Sequence, residues 1–102
     1  MSEFSWRNLG EKPYRFRFSP EYDAGTPFWL GGAVPVEDLP LSPELTAAIR
    51  RWNDYFETHF HWETGWRDAE GGRLFNVEAR VLCDRAQSEL GEDYVLTFDL
   101  WT

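Results

Sequence analysis

Strict alternation at Y-R-F-R-F, residues 14–18, constrains this chain more than any other feature. Tyr14, Phe16 and Phe18 fall on one face and Arg15 and Arg17 on the other, the pattern of a half-buried strand. Near the other end, Y-V-L-T-F-D-L-W (94–101) repeats the pattern, with Tyr94, Leu96, Phe98 and Leu100 on one face. A two-stranded ribbon is marginal in water, and each aromatic face needs cover. Whatever lies between must therefore supply a second layer.

Two helical patterns supply it. In L-S-P-E-L, Ser42 is placed as an N-cap, Pro43 as the first helical residue and Glu44 in the first turn, where the helix dipole favours negative charge. Steps of about 100° from Leu45 put Leu45, Ala48, Ile49, Trp52, Tyr55, Phe56 and Phe60 in one stripe. The spacing predicts a helix from Ser42 to about Glu63, stopped by Gly65 as a left-handed C′ residue, with Trp66 folding back on Phe60. W-R-D-A-E-G-G (66–72) then reads as a connector. A second helix follows with Asn76 as candidate N-cap, with Phe75, Ala79, Leu82, Cys83, Ala86 and Leu90 on one face, and with Gly91 as its stop. Because F-N-V-E-A-R-V also alternates with period two, residues 73–82 fit either helix or strand.

Residues 19–41 carry Pro20, Pro27, Pro35 and Pro40 with Gly25, Gly31 and Gly32, which interrupt helix and sheet alike. P-F-W-L (27–30) and V-P-V (34–36) anchor this stretch, so it reads as a long ordered loop over the core with Trp29 tucked in. Residues 1–11 form a loosely ordered lead. The expected fold class is α+β in one domain, 1–102: a two-layer β-loop-α-α-β arrangement with a small sheet of the N- and C-terminal strands packed against two helices. Pairing of those strands would set Arg15 and Arg17 near Thr97 and Asp99.

Composition sets the outer bounds. The 102 residues include eight Phe, six Trp and four Tyr, enough ring area for a core that needs no staple. Cys83 is the single cysteine, so no intrachain disulfide forms. Without a leader-like segment or a long apolar run the expected compartment is the cytoplasm and no membrane contact is foreseen. A formal charge of −8 argues against nucleic acid and for a basic protein partner.

Y-R-F-R-F, the aromatic Pro-rich loop, L-P-L-S-P-E-L followed by Trp52, and S-E-L-G-E-D-Y-V before the last strand resemble small uncharacterised actinobacterial proteins. The similarity spans roughly residues 12–100 and implies the same order of elements, with no activity to carry over.

E-T-H-F-H-W-E-T-G-W (57–66) holds both histidines of the chain. On a helix His59 and His61 lie about 200° apart and cannot ligate one metal together. The usable pairs are Glu57 with His61 and His59 with Glu63. Two ligands fall short of a zinc site, so no metal and no cofactor is expected. His59 lies in the apolar stripe, where the chemical alternative is a general base oriented by Glu63, with Tyr55 as second proton carrier. G-x-S-x-G, a P-loop and G-x-G-x-x-G are absent.

Charge and loop together favour a non-enzymatic interaction protein whose contact residues are Phe28, Trp29, Asp23, Glu37 and Asp38. Its specific form is an immunity-type inhibitor of a basic toxin or nuclease, since an acidic compact domain can occlude a cationic site and be steered to it. The alternative is a small enzyme or a metal- or ligand-binding domain using His59 and Glu63. Monomer and homodimer are both compatible with this number of aromatics.

Overall fold

The computed structural model describes residues 12–20, 25–61 and 63–98. Strand β1 (Tyr14–Phe18) leads through β2 (Phe28–Trp29) and β3 (Ala33–Val34) to a short 3-10 helix, Val36–Asp38. Helix α1 (Pro43–His59), a hairpin of β4 (Phe60–His61) and β5 (Gly65–Trp66), helix α2 (Ala69–Leu90) and β6 (Tyr94–Phe98) follow. The fold is α+β, with a mixed sheet that joins the N- and C-terminal strands and packs against two helices.

The sheet has four strands in the order β3-β2-β1-β6. β1 and β6 pair in parallel, with Tyr14 opposite Tyr94, Arg17 opposite Thr97 and Phe18 opposite Phe98. Parallel neighbours need a crossover, and the helical layer provides it. Asp99 and Leu100, expected at the end of the last strand, lie outside the described residues, as does the lead at 1–11.

Residues 19–41 are more than a covering loop. β2 pairs antiparallel with β1 and β3 with β2, so this segment extends the sheet. Thr26 explains part of the turn that Pro27 hides: its hydroxyl donates to Val34 O at 2.7 Å and accepts from Phe28 N at 3.2 Å. Phe16, Phe18, Phe28 and Val34, each at most 1% exposed, form the inner face of the sheet.

The helices cover that face as their stripes require. Leu45, Ile49, Trp52 and Phe56 of α1 and Phe75, Ala79, Leu82, Cys83, Ala86 and Leu90 of α2 are buried. A column of rings crosses the layers: Phe18 stacks on Trp52 at 5.2 Å and Trp52 on Phe75 at 4.5 Å. The Trp52 indole N–H is satisfied inside the column, donating to Phe75 O at 3.1 Å.

Two helix boundaries correct the sequence reading. α2 begins at Ala69, capped by Asp68, whose side chain accepts from Glu70 N, so Asn76 is interior and 73–82 is helix. Gly71 and Gly72, which read as a turn, sit in its first turns. A Cβ on Gly72 would meet the Trp66 ring at 2.5 Å, and one on Gly71 would clash with the Tyr55 hydroxyl. Close packing outweighs the roughly 1 kcal/mol that each glycine costs a helix. At the other boundary α1 stops at His59, four residues before the expected Glu63.

Side chains lock the layers at their ends. Ser42 caps α1 by accepting from Leu45 N at 3.2 Å, and its own N–H and hydroxyl donate to the Glu89 carboxylate of α2 at 2.6 and 2.9 Å. Gly91 stops α2 with a φ of 81°. Gln87 then ties α2 to β6, donating to Tyr94 O at 2.7 Å and accepting from Leu96 N at 2.9 Å.

Candidate functional site

The early stop of α1 builds an open hollow lined by polar and charged side chains. Phe60 leaves the helix with φ −112° and ψ 135°, while its N–H still donates to Phe56 O. Its ring packs on Phe56 at 4.9 Å and edge-on against Trp66 at 5.1 Å. Pairing of Phe60 with Trp66 and of His61 with Gly65 closes a hairpin, and Gly65 holds φ 79° at its turn. Arg67 N donates to His59 O at 2.9 Å, fastening the hairpin to the helix end. The expected Phe60–Trp66 contact is present, but as a cross-strand pair and not as a helix stop.

With extended backbone after His59, the 200° separation that kept the histidines apart no longer applies. His59 and His61 line one open hollow of about 400 Å³, together with Glu57, Thr64 and Arg67. Glu63 is exposed in the hairpin turn, where its N–H donates to His61 Nδ1 at 3.1 Å. The i,i+4 pairing of His59 with Glu63 is thereby corrected, because it required a helix through residue 63. Glu57, on α1, and His61, on β4, both line the hollow.

Glu57 and both histidines are oriented by neighbours. His59 Nδ1 lies 3.1 Å from Tyr55 O, and a carbonyl only accepts, so in the neutral ring Nδ1 carries the proton and Nε2 the lone pair. The ring stacks on Tyr55 at 4.0 Å and 13°. His61 has the opposite tautomer in its neutral form, since its Nδ1 accepts. Asn53, fully buried, donates its side-chain N–H to Glu57 Oε2 at 3.1 Å, while its own Oδ1 has no partner among the described residues. Tyr55 also lines a smaller hollow of about 170 Å³ with Gly71, Leu74, Phe75 and Glu78. The Tyr55–His59 stack is therefore shared between the two hollows.

Among the described residues no three of His, Cys, Asp and Glu converge to hold a metal ion. Cys83 is 7% exposed, and burial first, then Asp84, pushes its thiol up to about 11 against a smaller opposing effect of Arg80. At neutral pH it is a small apolar side chain and not a nucleophile.

The residues expected to meet a partner are scattered. Phe28 is 0% exposed and faces the core, so it offers no contact surface, a correction forced by its pairing with Phe18. Trp29 stands on the outer face of the sheet opposite Arg17, whose guanidinium lies 5.4 Å above its ring, and its indole donates to Ser19 O at 2.8 Å. Glu37, in the 3-10 helix, is exposed and ion-paired with Arg50, and Asp38 beside it is exposed. Asp23 lies outside the described residues.

Sequence reasoning missed Thr64 and Arg67 as part of a site, and it separated the two histidines. The available signal was H-F-H-W, which alternates with period two just before a Thr-Gly turn, a short hairpin pattern. The helical stripe running up to Phe60 concealed it.

No helix among the described residues is long and apolar enough to cross a membrane. No curated protein matches the chain. Residues 14–99, from the first residue of β1 to just past the end of β6, match the family described as Serratia CdiI immunity protein-like. The match takes in the sheet, both helices and the hairpin hollow, and the chain belongs to the Serratia CdiI immunity protein-like family.

Proposed function

We propose that the protein is an immunity protein, one that binds a protein toxin and blocks it by occupying its surface rather than by chemistry. The family match along residues 14–99 carries this reading. The formal charge of −8 supports its finer form, a toxin with a basic active surface. Opposite charge accelerates encounter and makes association depend on salt. A non-catalytic mode also suits a chain whose lone thiol is held protonated and buried.

The test is growth rescue. A toxin domain encoded beside this chain, expressed in an indicator bacterium, should arrest growth, and co-expression of the chain should restore it. The purified pair should associate more slowly as salt rises from 50 to 500 mM, most of the effect falling on the on-rate. Continued arrest in the presence of folded chain would reject the immunity reading. Rescue with a salt-independent on-rate would reject only the basic partner.

A further inference from the structure

Resting on the immunity reading, we infer that the hollow at the end of α1 receives an arginine or lysine side chain of the toxin. Two of its lining residues, Glu57 and His59, each carry an acceptor with no hydrogen bond among the described residues. The second carboxylate oxygen of Glu57 has no partner among the described residues, and neither has Nε2 of His59, left with its lone pair by the Nδ1 contact to Tyr55 O. A guanidinium or ammonium group supplies only donors, so it fits both.

Asn53 is the sign that this carboxylate is placed and not merely present. It is 0% exposed, and it donates to Glu57 while its Oδ1 goes unpaired among the described residues. A buried unsatisfied carbonyl destabilises a fold, and an apolar residue of similar shape would avoid that cost. What the fold receives for it is a half-buried Glu57 held in one orientation at the wall of a hollow of about 400 Å³. That volume is ample for the tip of a long side chain. His59 is held with equal firmness by its stack on Tyr55. Asn53 is therefore a positioning residue for Glu57.

Arg67 lines the same hollow and carries the charge of the proposed guest. It acts as the repulsive element, rejecting partners whose cation does not reach both acceptors. The two charged residues of the wall thus have opposite expected effects, which makes the assignment sharp. A cation guest is favoured by Glu57 and opposed by Arg67, and an anion guest would reverse both signs.

The experiment uses the full chain and the purified toxin domain that it rescues, with affinity measured by calorimetry and folding checked by thermal unfolding. Glu57→Gln should weaken binding about tenfold, and Arg67→Ala should tighten it about two- to fivefold. Asn53→Leu should weaken binding severalfold with no loss of thermal stability, and it should have no further effect once Glu57→Gln is present. Rescue by wild type combined with unchanged affinity of Glu57→Gln overturns the inference and leaves the immunity reading standing. Weaker binding by Arg67→Ala also overturns it, because the guest would then be an anion. A wild-type chain that neither rescues nor binds removes the immunity reading, and the inference falls with it.

Discussion

Phe18, Trp52 and Phe75 stack through the core at 4.5–5.2 Å, and Tyr55 and His59 stack beside the hollow at 4.0 Å, yet the two sets of rings do different work. In the column the rings are at most 3% exposed and the one polar atom, the Trp52 indole N–H, is satisfied within it. Beside the hollow both rings are half-buried, and His59 keeps one nitrogen without a partner among the described residues. Stacking distance is therefore no guide to role. Burial and hydrogen-bond closure separate the rings that hold the fold from those that border the hollow.

The largest test of that separation is Phe18→Ala. Emptying the sheet end of the column should cost about 3–5 kcal/mol, read from chemical denaturation. A loss below about 1 kcal/mol would mean that the column is not where stability resides.

Next in size is the pH dependence set by Cys83. Its thiol is raised to about 11 in the folded chain from an ordinary value near 9.0, so the unfolded chain releases this proton first as pH rises. The contribution is complete below about 9 and is lost as pH climbs toward about 11, on the order of 2 kcal/mol in all. Denaturation midpoints of wild type and Cys83→Ala should diverge across that window. Parallel curves would show that the thiol does not share the dryness of the core.

Gly72→Ala lies between the two regions, since Trp66 packs on both Gly72 and Phe60. Alanine gains up to about 1 kcal/mol of helix propensity, but its Cβ meets an indole ring at 2.5 Å. Overpacking of this kind costs about 1–3 kcal/mol, so the net change should be a loss of about 1 kcal/mol by thermal melt. A stabilised variant would show that the hairpin yields freely.

Smallest of all, Glu57→Gln should change stability by less than about 0.5 kcal/mol, because the amide oxygen of Gln can still accept from Asn53. A cost above about 1 kcal/mol would make the hollow part of the scaffold and erase the distinction between the regions.

The legible parts of this fold are those whose causes are local. Ser42, Pro43 and Glu44 start α1 where capping chemistry places them, and the stripe of α2 from Phe75 to Leu90 faces the core as its spacing requires. The alternation of Tyr14–Phe18 correctly marks which residues turn inward. β2 and β3 were illegible because strands of two residues have no stability of their own and exist only as additions to the sheet, β2 on β1 and β3 on β2. The start of α2 was hidden by Gly71 and Gly72, whose poor helix propensity is offset by contacts with Tyr55 and Trp66 that no local window contains.

The candidate site shows the same division at finer scale. Residue types and helical spacing singled out His59, Glu63 and Tyr55 as the chemical candidates, because histidine, carboxylate and phenol groups can carry protons, and read Glu57 with His61 as a separate pair. Whether the two histidines diverge or meet depended on one dihedral change at Phe60, set by its packing between Phe56 and Trp66. The sequence by itself determined the two long strands and two helices in their order, their inward faces and the acidic charge, since these follow from spacing and composition. Only the tertiary structure decided where α1 ends, and with it that the histidines share a hollow, because long-range ring packing outweighed the helical stripe that local periodicity extends to Phe60.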